Sequence, residues 1–510
     1  MDKIEAHPEC EKAWMIQFGG LFNPSFSTYN QTTMKPTSFS DSSAITYQQA
    51  RIAHWDSIAR KHDSWRGMGI WYHRRLQEIY RFHVSPNQDI LEVGCAEGNL
   101  LAALKPRRGV GIDFSEEMIC RARKLHPHFE FIHADAHDLS ELKEKFDVII
   151  MSDLVNDLWD VQRVLEEIKP LCMSHTRIIF NFYSRLWQLP LSIARALNLA
   201  SPNLYQNWLT RDDMNILLQL ANFETIRSTQ EILWPLPLGG FANRFLVRLW
   251  PFYEMALSNF VIARPAPQRA EEPMVSVIIP ARNEAGNIKS IFERVPQMGG
   301  GTELVFVEGH SKDDTYAAIE REIASHPSTP SRLLRQTGIG KADAVRLGFS
   351  AAKGEVLMIL DADLTVPPED LPRFYEALVS GKGDFVNGVR LVYPMEKEAM
   401  RTLNFLGNKF FSMAFAWLLG QPIKDTLCGT KVLWKRDYEQ IAANRSYFGD
   451  FDPFGDYDLI FGAAKLNRKI IDLPIRYRER TYGSTNISRW KHGVLLLRMV
   501  TFAARRIKFV

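Results

Sequence analysis

Residues 354–370, GEVLMILDADLTVPPED, carry an unbroken apolar run, 356–360, that leads directly into Asp361 and Asp363 with Ala362 between them. A run that short, closed off by Pro367 and Pro368, reads as a buried strand feeding a turn and then a helix. Two carboxylates so spaced at the carboxyl edge of an open α/β sheet can hold one hard divalent cation, and that cation can hold a diphosphate. Alone, an Asp-x-Asp is weak, because surface pairs of this kind are usually solvated turn residues. The surrounding segments decide.

Upstream, residues 274–284, MVSVIIPARNE, form a second apolar strand that stops at Pro280 and delivers Asn283 and Glu284 to its end. Residues 303–315, ELVFVEGHSKDDT, form a third, ending in Glu308 and an acidic, Gly-containing turn. Between these strands and DADL, residues 338–348, GIGKADAVRLG, supply a Gly-rich turn, Lys341 and a helical pattern. This order resembles the family-2 glycosyltransferases of the GT-A fold. The continuation resembles their dolichol-phosphate mannose synthase branch: NGVRLVYP with Arg390, KDTLCGTKV with Asp425 and Lys431, GDYDL with Asp456 and Asp458, and RERTYGSTNIS with Arg480. The resemblance covers roughly the second half of the chain.

It implies inversion at a sugar carbon by direct displacement from a GDP- or UDP-linked sugar. Pro280, Asn283, Glu284, Glu308, Lys341 and Asp361 would hold the nucleotide sugar. Asp361 and Asp363 would hold Mg²⁺ or Mn²⁺ against the departing diphosphate, with Arg390 the best additional cation and Arg480 the next. Glu308-Gly309 stands where many members carry two aspartates, which leaves the identity of the nucleotide open. A polyprenyl phosphate acceptor is already anionic and needs no general base, whereas a hydroxyl acceptor needs a carboxylate. Asp456 is the candidate base, and Asp458 is expected to be structural.

At 510 residues the chain is too long for one ordinary core. Its 46% hydrophobic and 24% charged residues are those of a globular protein. A net charge of +3, without zinc-finger or RNA-recognition spacing, gives no argument for nucleic acid. Cys10, Cys95, Cys120, Cys172 and Cys428 are scattered and odd in number, the pattern of a reducing compartment without a structural metal. No signal peptide and no uncharged run long enough to span a bilayer is visible. The expected location is the cytosol or the cytoplasmic face of its membrane.

Residues 1–48, rich in Ser, Thr, Asn and Pro, are expected to be flexible. Residues 51–82 are aromatic and basic, as helices packed on a following sheet or partly closed over a ligand. Residues 89–104, DILEVGCAEGNLLAAL, read as a strand ending at Glu92, a tight turn with Gly94 and Gly98, and a helix whose N-terminus faces the turn. The next strand, GVGID, ends in Asp113, about twenty residues after Glu92, where a carboxylate can accept from a ribose diol. These residues alone leave a nicotinamide cofactor open; against it, the turn is GxxxG from Gly94, not GxGxxG, and Glu92 precedes the first glycine. With FIHADAHDL, FDVIIMSDLVNDL and RIIFNFY, they resemble the class I S-adenosylmethionine methyltransferases over residues 51–264. The resemblance implies cofactor contacts from Glu92, Gly94, Gly98, Asp113, Asp135 and Ala136. Asp153 stands between a helix cap and an acceptor contact.

Thr210 and Asp213 predict a capped helix start. Residues 223–234 and 259–264 predict a closing hairpin. The apolar but interrupted segment 236–253 predicts an inserted helix that covers the active site or touches a lipid. Residues 265–273, polar and Pro-containing, read as a linker between a methyltransferase-like unit, 49–264, and a GT-A unit, 274–510. The expected fold is therefore α/β, two doubly wound domains, the first Rossmann-like. Residues 404–420 and 490–510 are strongly apolar but interrupted by Lys409, or by Arg498, Arg505, Arg506 and Lys508. They read as membrane-surface helices of a peripheral protein, or as homo-oligomer contacts.

Two functions follow. One is a bifunctional enzyme that methylates and also transfers sugar to a polyprenyl phosphate or related glycan acceptor. The other is a glycosyltransferase for a hydroxyl acceptor in cell-surface glycan synthesis, whose N-terminal half only binds or scaffolds.

Overall fold

The computed structural model describes residues 42–61, 69–196, 204–390, 402–426, 428–445, 457–476, 478, 482 and 489–509. Asp456 and Arg480 lie outside them, as do residues 1–41.

The first half is built on β1 (Asp89–Val93), β2 (Arg108–Asp113), β3 (Glu130–His133), β4 (Phe146–Met151), β5 (Cys172–Tyr183), β6 (Phe223–Glu231) and β7 (Ser258–Pro265). Their order is β3-β2-β1-β4-β5-β7-β6, with β7 antiparallel to both its neighbours and the other pairs parallel. The predicted hairpin is β6 with β7. Helices cover both faces, so β1 and β4 carry buried side chains on each side and read as continuous apolar runs. Strand order reverses between β1 and β4, which opens a crevice beyond their carboxyl ends. Thr210 caps the helix Arg211–Leu220 in a reciprocal capping box with Asp213.

Three features depart from expectation. The helix Ser42–Lys61 begins before the boundary expected at residue 49 and packs on the helix Glu116–Leu125. The segment 236–253 is a short helix, Gly240–Arg244, followed by single turns at Leu246–Arg248 and Phe252–Met255, because its prolines and basic residues interrupt a longer one. Cys120 is disulfide-bonded, while Cys95, Cys172 and Cys428 are free and buried. Spacing along a chain does not reveal which sulfurs the fold brings together.

The second half is built on β8 (Val275–Ala281), β9 (Thr302–Glu308), β10 (Ser331–Arg335), β11 (Val356–Ile359), β12 (Phe385–Val389), β13 (Lys431–Trp434) and β14 (Ile470–Pro474). Their order is β10-β9-β8-β11-β13-β12-β14, with β13 antiparallel to both its neighbours. Both halves are thus doubly wound α/β units. Helices Thr402–Leu419 and Arg489–Ala503 bury Phe411, Phe415, Leu496 and Met499 in a core shared with Tyr457 and Phe461. They leave Phe410, Met413, Trp417, Val494 and Leu497 exposed. Among the described residues no helix is long and apolar enough to cross a membrane.

A buried polar seam joins the halves. Asp384, beside β12, accepts from Arg177 Nη2 of β5 at 2.6 Å and from Arg264 Nη1 of β7 at 2.9 Å. Arg264 also donates to Glu224 at 2.8 Å, and Lys469 reaches the same carboxylate. Arg177 Nε donates to the Asn467 carbonyl at 2.8 Å, and Asn467 Nδ2 donates to the His83 carbonyl at 2.8 Å. Burial pushes the Asp384 carboxyl up, but Arg177, Arg264 and Arg468 outweigh it and hold the group down to about 2. Its folded pKa is depressed, so its contribution is present above the ordinary aspartate range and disappears as pH falls towards 2. Replacing Asp384 by Ala takes the directly bonded carboxylate from the buried Arg177 and leaves Arg264 with Glu224, and should cost about 3–5 kcal/mol. Urea unfolding of the variant at neutral pH checks this, and a loss below about 1 kcal/mol would mean that the seam is solvated.

Candidate functional site

Beyond the carboxyl ends of β1 and β2 lies a cavity lined by Gly94, Asp113, Asp135, Ala136, Leu154 and Asp157, among others. Gly94 turns the chain at φ 76°, and a Cβ there would meet Leu154 Cδ1 at 2.9 Å. Asp113 accepts from the amides of Ala96 and Ser115, both at 2.9 Å, so each carboxylate oxygen is aimed by the backbone. Burial raises its pKa to about 6 against those two hydrogen bonds. Asp135 accepts from the His137 amide at 2.8 Å and lies 2.7 Å from His137 Nδ1.

Glu92 and Gly98 are placed differently. Glu92 Oε2 accepts from the Leu101 amide at 3.0 Å, inside the following helix, and the residue does not line the cavity. Burial pushes its carboxyl up to about 8. Gly98, at φ 73°, is required by packing, since a Cβ would overlap the Phe131 ring at 2.6 Å. Both residues hold the turn that Gly94 opens.

The helix Ser42–Lys61 closes the cavity. Gln48 Nε2 donates to Asp135 Oδ2, Tyr47 OH donates to the Asp157 carbonyl at 3.3 Å, and the Arg51 guanidinium lies 3.5 Å from the Tyr47 ring centroid. About 30 Å³ remains open, room for one water and far below the roughly 300–1,000 Å³ of ordinary ligand pockets. Sequence reading missed Tyr47, Gln48 and Arg51. The signal was present, for Ala44, Tyr47, Gln48 and Arg51 follow i, i+3, i+4, i+7 spacing, but on a face too polar to register as amphipathic. Asp153 is no helix cap. At φ 54° it accepts from Tyr72 OH at 2.7 Å and Asn181 Nδ2 at 2.5 Å, half-buried near Tyr183.

The second site runs along the carboxyl ends of β10, β9, β8 and β11. Pro280 pairs with Val307, and Glu308 with Ala281, in the β8 to β9 ladder. Asn283, at φ 58°, accepts from the Lys312 amide at 2.7 Å, and the Glu284 amide donates to Thr315 Oγ1 at 2.9 Å. Glu308 Oε1 accepts from the Ser311 amide at 2.5 Å, so this carboxylate organises the acidic turn. Gln336 links the strands, its amide donating to the Glu308 carbonyl at 2.9 Å and its side chain to the Gly340 carbonyl at 2.7 Å.

Lys341 Nζ then lies 2.7 Å from Asp361 Oδ1. Burial pushes the Asp361 carboxyl up, but Lys341, with Lys431 and Arg390 behind it, holds it below the usual range. Asp363 Oδ1 accepts from Thr365, from its amide at 3.1 Å and its hydroxyl at 2.8 Å. Arg390 grips the buried Asp425 with Nε at 2.7 Å and Nη2 at 2.9 Å, so its fork is committed to that carboxylate and it reaches Asp361 as a field. Asp458 is paired with Arg346 at 3.0 Å and Arg445 at 3.4 Å. The flanks of Arg480 reach the same edge: the Arg478 amide donates to the Thr365 carbonyl at 3.0 Å, and Tyr482 OH lies 3.4 Å from Asp313. Among the described residues no three metal-ligating side chains converge. A carboxylate pair completed by substrate phosphates is the usual Mg²⁺ arrangement, and Asp361 and Asp363 fit it.

Residues 276–441 match the family model for glycosyl transferase family 2, and residues 90–173 match a methyltransferase domain. The chain joins a methyltransferase domain to a family 2 glycosyltransferase domain. Its glycosyltransferase domain is similar to the dolichol-phosphate mannosyltransferase of Pyrococcus furiosus, 36% identical over 218 residues, 42% of this chain and 59% of that protein. It is also similar to the undecaprenyl-phosphate 4-deoxy-4-formamido-L-arabinose transferase of Edwardsiella ictaluri, 28% identical over 235 residues, 44% of this chain and 67% of that protein. Among solved structures it is similar to the glucosyl-3-phosphoglycerate synthase of Mycobacterium tuberculosis in complex with Mn²⁺, UDP and phosphoglyceric acid. That likeness is 18% identical over 47% of this chain and 80% of that one, with a TM-score of 0.36.

Gly429 lies in the KDTLCGTKV segment, next to Cys428. A Cβ there would overlap both the Asp361 carboxylate and the Lys341 ammonium, so the glycosyltransferase domain needs a bare backbone at that point. Gly429→Ala should destabilise the protein by about 1–3 kcal/mol through overpacking. Gly407→Ala is the control, because a Cβ at Gly407 meets nothing within 4 Å. Denaturant unfolding that shows the two variants alike would remove Gly429 from the site.

Proposed function

We propose that the chain is a bifunctional transferase: S-adenosylmethionine-dependent methyl transfer in its first half, and metal-dependent inverting transfer of a sugar from a nucleotide sugar to a polyprenyl phosphate or related glycan acceptor in its second. The observation that carries the second activity is the Lys341–Asp361 pair, 2.7 Å apart at the end of β11 with Gly429 pressed against it. It gathers a metal-competent carboxylate and a cation at one strand end. The relatives named for dolichol-phosphate and undecaprenyl-phosphate transfer support a lipid phosphate acceptor.

In this reading Pro280, Asn283, Glu284 and Glu308 hold the base and ribose of the nucleotide. Asp361 and Asp363 would hold Mg²⁺ or Mn²⁺, which when bound neutralises charge on the departing diphosphate. Lys341 gives up Asp361 and turns its ammonium to the phosphates, while the buried Lys431 adds positive charge behind the edge. A lipid phosphate attacks without deprotonation, so the chain need supply only orientation.

In the first half, Asp113 accepts the ribose hydroxyls, and Asp135 accepts from the adenine amino group once Gln48 releases it. Asp113 and Asp135 have the donor-accepting chemistry for this, and Gly94 the close backbone approach, but the closed cavity requires the helix Ser42–Lys61 to shift outward. Glu92 and Gly98 support the turn. The protein would work on the cytoplasmic side, peripheral to a membrane, with the unit boundaries near residues 264 and 274.

The test is transfer of labelled sugar from GDP- and UDP-sugars to polyprenyl phosphate with Mg²⁺ or Mn²⁺. Asp363→Ala should abolish metal-dependent transfer while unfolding at the wild-type denaturant concentration. Full transfer by that variant would move the metal away from Asp363.

A further inference from the structure

A cleft of about 1170 Å³ lies where the two halves meet, and none of its lining residues belongs to the cofactor cavity or to the Asp361 edge. Helix Gly69–His83 contributes Arg74, Arg75 and Arg81 to one wall, and the last turns of the chain contribute Arg505 and Arg506 to another, with Lys465 between them. Among the described residues lining it, Glu78 is the only carboxylate. Glu78 pairs with Arg74 and, at 2.9 Å, with Arg75, and Lys465 donates to the Phe82 carbonyl, yet the lining keeps a net positive charge that favours an anion.

The rim is apolar and comes from the segment 236–253, whose residues do not line the cofactor cavity. Leu238 is 99% exposed and Phe241 66% exposed. The rim is tied to the other half, for Arg244 Nε donates to the Phe509 carbonyl at 2.5 Å and the Phe245 and Phe509 rings stack at 5.2 Å. Phe509 in turn lies 5.8 Å from Trp417, on the exposed apolar face of the helix Thr402–Leu419. A basic cleft beneath a continuous rim of exposed Leu, Phe and Trp matches one chemistry, an anionic headgroup carrying hydrocarbon chains.

We propose that this cleft binds the phosphate headgroup of an anionic membrane lipid while its rim enters the bilayer, so that the methyltransferase half and the glycosyltransferase half dock on one membrane surface. The inference rests on the membrane-surface reading above and deepens it, because the first half supplies part of the contact. A soluble phosphorylated compound would satisfy the arginines and leave the exposed rim unexplained.

Flotation of the full chain with vesicles of 70% phosphatidylcholine and 30% phosphatidylglycerol tests it, with pure phosphatidylcholine vesicles and added inorganic diphosphate as comparison arms. Wild type should bind the anionic vesicles and not the neutral ones. Leu238→Glu with Phe241→Glu, and separately Arg505→Glu with Arg506→Glu, should each weaken binding about tenfold or more. All four positions are exposed, so both variants should keep the wild-type melting temperature. If wild type does not float, the membrane reading and this site fall together. If wild type floats and the Leu238/Phe241 variant floats equally well, the site in the first half is wrong while the membrane reading stands. If inorganic diphosphate displaces the vesicles completely and the rim variant changes nothing, the cleft is a site for a soluble anion.

Discussion

Asp384 places one negative charge between two buried guanidinium groups that belong to the other half of the chain. Such a pair contributes less than its Coulomb energy suggests, because all three groups leave water, but it fixes geometry strongly: any slip leaves a buried charge uncompensated. Arg177 and Arg264 stand on β5 and β7, so the anchor passes directly into the first sheet. Asn467, Arg468 and Lys469 lead into β14 of the second. Two α/β units that share a polar linker are thereby held in one arrangement. The cleft between helix Gly69–His83 and Arg505 exists only in that arrangement.

With the halves fixed, the chemistry of each follows from one rule of open α/β sheets: functional groups gather beyond the carboxyl ends of the strands, where the order reverses. The two halves use it differently. In the first, Asp113 and Asp135 are held by backbone amides and neighbours and face a cavity that the helix Ser42–Lys61 covers. In the second, Asp361 is paired at 2.7 Å with the ammonium of Lys341. Both are charge-satisfied resting arrangements. In the proposed function each exchanges an internal partner, Gln48 or Lys341, for a ligand.

The strands and their terminal residues were legible in the sequence because buried parallel strands are written as short apolar runs, and DILEV, SVIIP, LVFVE and VLMIL are all of that kind. The hairpin and the Thr210 cap were legible for the same local reason. What was not legible depends on partners distant in sequence. Arg390 looked like a cation for a diphosphate, but it is committed to Asp425, 35 positions away. Glu92 looked like a cofactor contact because it ends a strand, yet its side chain turns into the Leu101 amide. Gln48 sat in a segment whose composition suggested flexibility, although its face is built to meet Asp135. The segment 236–253 reads as a cover for the active site or a lipid contact, and its Arg244 and Phe245 meet Phe509 of the second half, a contact that no local pattern encodes.

The central claim is that one chain carries two separate transferase sites. Calorimetric titration of the wild-type protein, first with S-adenosylmethionine and then with GDP- and UDP-sugars in the presence of Mg²⁺, addresses it most directly. The account predicts two binding events, each of one ligand per chain, with the second unchanged in stoichiometry by saturation of the first. Absence of heat with S-adenosylmethionine, or displacement of one ligand by the other, would contradict it.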